Sequence, residues 1–171
     1  FINLKILLVG YPMSPIRSPI APESFFYFKY YFELNILKLF KNYNYSLDYK
    51  IHPDRLGWEN SIKKYVNKIV YDNFEKIYSN YDLVLFSYSH TSTFNYILKT
   101  NLPCIIFNTD LGVWNKNDLK FLKKRCQIKN LSSNKFNISS SPLLDFKDFQ
   151  KMLESAIKKK NNNDYFQKIV K

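Results

Sequence analysis

Residues 82–110 constrain the fold of this chain more than any other stretch. Two short apolar runs, Leu83 to Phe86 and Cys104 to Phe107, bracket a segment of helix length. Small hydroxyl residues, Ser87, Ser89, Thr91, Ser92 and Thr93, gather where the first run ends. The pattern is a strand, a hydroxyl-rich turn, a helix and a second strand. In open α/β sheets, ligands bind beyond the carboxyl ends of the strands. A helix that starts there offers free N–H groups and the positive end of its dipole. The segment therefore reads as a place to hold a phosphate.

The flanking sequence extends the same alternation. Residues 4–9 predict a first strand ending at Gly10. The loop from Tyr11 to Pro22 carries prolines at 12, 15, 19 and 22, so it cannot be helical throughout, and it is long for a strand-to-helix connection. A helix is predicted from about Glu23 to Phe40. Its aromatics cover more than one face, and Glu23, Lys29, Glu33 and Lys38 interrupt the apolar pattern. Residues 46–52 alternate as a second strand, closed by Pro53. Apolar positions 62, 65, 66, 69, 70, 74 and 77 have helical spacing and predict a helix over 62–78. A third strand at 83–87, a helix at 93–99 and a fourth strand at 103–107 follow. The rest reads as a helix at 117–125, a short edge strand at 136–139, an amphipathic helix at 146–159 and a polar tail at 161–171. The expectation is an α/β, Rossmann-like parallel sheet of four to five strands with helices on both faces, forming one domain over residues 1–160. The only glycines are Gly10, Gly57 and Gly112, and neither Gly-x-Gly-x-x-Gly nor a P-loop occurs.

Charge narrows the class of partner only loosely. Twenty-six basic against fourteen acidic residues give +12, yet only Arg17, Arg55 and Arg125 are arginines. The excess is lysine, spread along the chain and accompanied by Asn, Ile, Tyr and Phe, which share A/T-rich codons. Genome bias accounts for that composition better than attraction to anions does. No basic stripe stands out, which disfavours nucleic acid. The two cysteines have neither metal-ligand nor disulfide-framework spacing, Cys104 reads as buried, and a reducing cytoplasm is the default expectation. No apolar run has the length of a membrane span, and no signal-peptide pattern is present.

Both histidines fall just after predicted strands. His52 ends the second and His90 lies in the hydroxyl turn, so a parallel sheet opens both toward one edge. A histidine there can donate to a phosphate or sugar oxygen, and Pro53 fixes the turn beside it. One cap needs one hydroxyl, whereas Ser89, Thr91, Ser92 and Thr93 offer four, enough for a small anion cradle. Arg55 suits paired phosphate oxygens. Asp110 either binds a sugar hydroxyl or caps the next helix. Trp58 and Trp114 read as packed, and Asp82, on the opposite edge, as structural. No catalytic triad, paired-carboxylate motif or metal cluster is visible by spacing.

The segments Lys50-Ile51-His52-Pro53, Tyr81 through Thr93 and Asn101 through Phe107 together resemble the C-terminal, donor-binding half of GT-B glycosyltransferase-like enzymes. The likeness is to bacterial surface and capsular polysaccharide transferases, including the CDP-glycerol glycerophosphotransferase and polysialyltransferase groups. These have a His-Pro motif after one strand and a Ser/Thr-rich turn after another. The segment from Arg55 to Trp58 resembles a related group of surface-carbohydrate transferases. The CDP-glycerol enzymes usually carry Asp before the hydroxyl turn, where this chain has Ser87-Tyr88. The resemblance implies recognition of a nucleotide-activated donor by His52 and the turn from Ser89 to Thr93, with His52 stabilising the leaving nucleotide. It implies a carbohydrate or lipid-linked acceptor, and nothing visible in the sequence requires a cofactor or a metal. It places the protein in the cytoplasm, with peripheral association at the inner membrane face left open. The chain opens at Phe1 and enters a strand almost at once, so the expectation is a piece lacking an N-terminal domain that would supply the general base. Two other readings stay open: a non-catalytic basic α/β module for polyanions or a protein partner, and a sugar-nucleotide epimerase-like enzyme.

Overall fold

A computed structural model describes residues 4–12, 23–43, 45–55, 57–88, 91–108, 115–130 and 146–161. Six strands form one sheet: β1 (Lys5–Val9), β2 (Ser46–Lys50), β3 (Lys68–Val70), β4 (Leu83–Phe86), β5 (Cys104–Asn108) and β6 (Gln127–Asn130). Their order is β3-β2-β1-β4-β5-β6, and every pairing is parallel. The helices are α1 (Glu23–Asn42), α2 (Glu59–Ile62), α3 (Phe74–Ile77), α4 (Ser92–Leu98), α5 (Lys116–Arg125) and α6 (Phe146–Lys159). This is an α/β, Rossmann-like architecture. The order reverses between β1 and β4, so the crevice between their carboxyl ends is the topological switch point.

Strand alternation explains the two-sided core. Ile6, Leu8, Leu83, Leu85, Ile105 and Phe107 face one side, where Phe32, Ile36, Leu37 and Phe40 of α1 meet Phe149, Met152, Leu153 and Ala156 of α6. Leu7, Val9, Val84, Phe86, Cys104 and Ile106 face the other, against Phe74 of α3, Phe94 and Ile97 of α4 and Leu122 of α5. A strand buried on both faces reads as a continuous apolar run, which is why β1, β4 and β5 stand out in the sequence.

The expected helix over 62–78 does not form. That stretch is α2, a 3-10 turn (Lys63–Tyr65), β3, α3 and a second 3-10 turn (Tyr78–Asn80). Strand pairing outweighs the helical spacing here. Asp48, Tyr49 and Lys50 of β2 lie in register with Lys68, Ile69 and Val70, and the Asn67 side chain accepts from Leu47 N at 2.9 Å. The strand count accordingly rises from the expected four to five to six, with β6 as the second addition. The expected edge strand at 136–139 lies outside the described residues. Within α1, Lys29 and Glu33 are not surface interruptions: both are buried, whereas Lys38 is exposed. Among the described residues no helix is long and apolar enough to cross a membrane.

The two edges of the sheet are finished differently. At the amino-terminal edge Asp82 is structural: its carboxylate accepts from Lys5 N at 2.9 Å, and its own N–H donates to Lys5 O at 2.8 Å. Buried Arg125 closes the carboxyl end of α4 there, donating through Nη2 to the carbonyls of Ile97, Thr100 and Leu102. At the carboxyl edge Gly10 N donates to Lys50 O at 3.0 Å and prolongs the β1–β2 ladder. A Cβ on Gly10 would overlap the Tyr49 hydroxyl. Gly10→Ala is therefore expected to destabilise the fold by about 1–3 kcal/mol through overpacking. Tyr49→Phe costs stability by itself, since its hydroxyl bonds Glu33, but in the double variant the two losses should be less than additive because the nearest overlapping atom is gone. Urea midpoints of the three proteins check both statements, and independent, additive losses would contradict the overlap.

Candidate functional site

A cleft of about 280 Å³ opens at the carboxyl edge of the sheet. The ends of β1 and β2 supply Val9, Gly10, Lys50, Ile51, His52 and Pro53; the start of α3 supplies Asn73, Phe74 and Glu75; the approach to α4 supplies Tyr88, Thr91, Ser92 and Thr93. Five of the residues singled out by sequence, His52, Pro53, Thr91, Ser92 and Thr93, thus share one cavity despite their separation along the chain. Ser89, His90 and Asp110 lie outside the described residues, as do Arg17 and Trp114. Trp58 is half-exposed, its ring set edgewise against Tyr30 at 5.9 Å.

His52 is held by its own turn. Pro53–Arg55 is a single 3-10 turn, closed by Arg55 N donating to His52 O at 2.9 Å. Asp54 N donates to His52 Nδ1 at 3.2 Å. The Asp54 carboxylate stands 3.6 Å from the same nitrogen, and an imidazole that accepts at Nδ1 carries its donor proton on Nε2. The ring is about a quarter exposed. Across the cleft Thr91 caps α4, its hydroxyl accepting from Thr93 N at 3.3 Å. One of the hydroxyls is thereby committed to the cap, as capping chemistry requires.

Lys50 also lines this cleft. It stands directly before Ile51 and His52, and its terminal position on β2 was the available signal. Its Nζ donates to the carbonyls of Ile51 at 3.0 Å and Tyr71 at 3.4 Å. Burial lowers the Lys50 pKa, while Asp72 and Glu75 act in the opposite sense. A partly desolvated ammonium held by carbonyls gains from an anion beside it.

Beneath the cleft wall lies a buried polar hub centred on Glu33. Its Oε1 accepts from Tyr11 N and from the Ser87 hydroxyl, each at 2.6 Å. Its Oε2 accepts from the Tyr49 hydroxyl at 2.8 Å and pairs with Arg55 Nη1. Arg55 Nη1 also donates to the Tyr49 hydroxyl. Lys29, one turn before Glu33 on α1, sets Nζ 3.4 Å from Ser87 O and over the Tyr11 ring. Burial would lower the Arg55 pKa, but the Glu33 carboxylate more than restores it, so the guanidinium stays charged. Burial, then the same carboxylate, raises the Tyr49 pKa well above its ordinary value, so its hydroxyl keeps its proton and donates. Arg55 is therefore placed behind the cleft rather than on its wall. The hub joins the ends of β1, β2 and β4 and the turn that carries His52.

No protein-family model matches the chain, and no curated protein does either. Solved structures similar to the chain include two transferases. One is KpsC, the beta Kdo 2,7 transferase of Thermosulfurimonas dismutans, at 20% identity over 91% of this chain and 45% of that one, with a TM-score of 0.47. The other is the glycosyltransferase SnogD from Streptomyces nogalater, at 10% identity over 98% of this chain and 43% of that one, with a TM-score of 0.53. The chain spans less than half the length of either. At these identities the likeness is one of fold alone, the Rossmann-like α/β fold shared with part of SnogD.

Proposed function

We propose that this chain is the donor-binding half of a transferase that passes a sugar, or another nucleotide-activated group, to a cell-surface carbohydrate or lipid-linked acceptor. The observation that carries this reading is the convergence of His52, Lys50, Ser92 and Thr93 on one cleft at the carboxyl edge of the sheet. Ligands of open α/β sheets occupy that edge. The fold shared with part of the glycosyltransferase SnogD and the resemblance of residues 45–110 to surface-polysaccharide transferases support it.

The chemistry follows from the donors present. A diphosphate in the cleft takes a hydrogen bond from His52 Nε2 and from the hydroxyls of Ser92 and Thr93, with the Lys50 charge alongside. As the bond from the transferred group to the diphosphate breaks, negative charge grows on the leaving oxygen. Preorganised donors aimed at that oxygen stabilise the transition state more than the ground state. Ser89, His90 and Asp110 belong to the same reading, the first two as further donors to phosphate and Asp110 as a partner for a sugar hydroxyl. Arg55 contributes from behind, by holding the His52 turn to Glu33. The acceptor and the general base come from a second half that faces this edge.

The test is a thermal-shift screen against UDP, CDP, CMP, GDP and their sugar conjugates at two salt concentrations. A selective shift with one nucleotide that persists at the higher salt supports the proposal. Stabilisation by any polyanion that collapses with salt assigns the chain instead to a basic binding module, because such binding is driven by counterion release. Analysis of the reaction products separates a transferase from an epimerase of the same fold.

A further inference from the structure

The two cysteines are far apart in sequence and adjacent in the fold. Strands β5 and β6 run parallel with Ile105 opposite Gln127 and Ile106 opposite Ile128. One residue earlier, the same register sets Cys104 opposite Cys126. Cys126 has extended backbone, φ −121° and ψ 151°, so its side chain stays in phase with the strand it precedes. Both side chains enter the same apolar layer and both are fully buried. Neighbouring strands lie about 4.8 Å apart. Disulfides span Cα separations of about 4.4–6.8 Å.

We propose that Cys104 and Cys126 form an oxidative modification site, closing to an intramolecular disulfide by exchange with a small-molecule disulfide such as oxidised glutathione. One thiol loses its proton to solvent and attacks the small disulfide, releasing one small thiol. The second thiol, also deprotonated, attacks the resulting mixed disulfide and releases the other. Two protein thiols are oxidised and one small disulfide is reduced to two thiols.

Access and reactivity both have a structural basis. Among the described residues β6 pairs on one side only, and its residues are half-buried to exposed, so opening of this edge uncovers the pair. The Arg125 guanidinium lies beside the pair, and its Nε and Nη1 have no hydrogen-bond partner among the described residues. Burial, followed by the contact with Cys126, raises the Cys104 pKa, and Arg125 counters both. The closed-state pair is therefore protected, and reaction is confined to the opened edge. The bridge would enclose all of α5 and fasten β6 to β5. It lies at the edge of the sheet opposite the cleft, so it acts on the fold rather than on the proposed donor site.

The experiment exposes the full chain to excess oxidised glutathione, quenches free thiols and measures intact mass without reduction. The expected product has lost two hydrogen atoms, retains no free thiol after denaturation, yields a linked Cys104–Cys126 peptide on non-reduced digestion and reverts with dithiothreitol. Its unfolding midpoint should rise, because the bridge restricts the denatured chain. Cys126→Ser should leave Cys104 with no intramolecular partner and give only a reduced thiol or a glutathione adduct. Persistence of both wild-type thiols, stable glutathione adducts in place of the link, or a bridge between two chains would each overturn the proposal. The linked peptide is read on the wild-type chain, so the conclusion does not depend on whether the variant folds.

Discussion

Replacing Glu33 by alanine is expected to lower the unfolding free energy by about 3–5 kcal/mol, the cost of stranding a buried charge by deleting its partner. Arg55 is fully buried and Glu33 nearly so, so solvent cannot replace the lost carboxylate. The Tyr49 and Ser87 hydroxyls and Tyr11 N lose the same acceptor, and each donor left unsatisfied adds roughly 1–3 kcal/mol before relaxation. These costs overlap and do not add. A domain of ordinary stability, about 5–15 kcal/mol, would still be left with little reserve. Glu33→Gln should cost less than Glu33→Ala, because the amide oxygen still accepts from one pair of donors, but its NH2 cannot accept from the other pair and the charge pairing is lost. A Glu33→Leu, Arg55→Met double variant should regain part of the single-variant loss, since an apolar pair avoids the desolvation penalty, but not the share owed to Tyr49 and Ser87. Urea unfolding followed by circular dichroism measures all three. An unchanged midpoint for Glu33→Ala would show that the carboxylate is not the shared acceptor.

This hub was the least legible part of the chain. Glu33 and Lys29 read as charges interrupting an aromatic helix, and nothing local distinguishes a charge that faces water from one that faces Arg55 in the turn after β2. Their partners come from four other elements, so only the assembled fold identifies them. The strands β1, β2, β4 and β5 were legible for the opposite reason: their burial on one or both faces is written as apolar runs or alternation. β3 was lost because the helical turns on either side lent residues 62–77 a helical spacing, and the deciding interaction was with β2, some twenty residues away. β6, Gln127–Asn130, is mostly polar and is a strand because β5 offers it a ladder. The cleft was half legible. His52 and the hydroxyl turn announced themselves by residue type at strand ends, whereas Lys50 looked like one more lysine in a lysine-rich chain.

His52→Ala is expected to weaken nucleotide binding roughly tenfold to a hundredfold, because a hydrogen bond to a charged phosphate is worth about 1.5–3 kcal/mol. The fold should barely notice. Within its own turn the ring accepts from Asp54 N and stands 3.6 Å from Asp54 Oδ2, and the turn keeps its closure from Arg55 N to His52 O. The unfolding midpoint should therefore move far less than the dissociation constant, which separates a binding role from a structural one. His52→Gln, with an amide that can still donate, should fall between the two. Ser92→Ala removes a neutral donor from the same wall and should cost only about 0.5–1.5 kcal/mol. Isothermal titration with the nucleotide selected by the thermal-shift screen gives all four constants. Raising the salt should weaken the wild type and His52→Ala alike, since the distributed lysine charge is common to both, and leave the ratio between them intact. Equal affinity of His52→Ala and wild type would remove His52 from the site. A ratio that vanishes with salt would reduce its contribution to general electrostatics, with no directed hydrogen bond to the leaving phosphate.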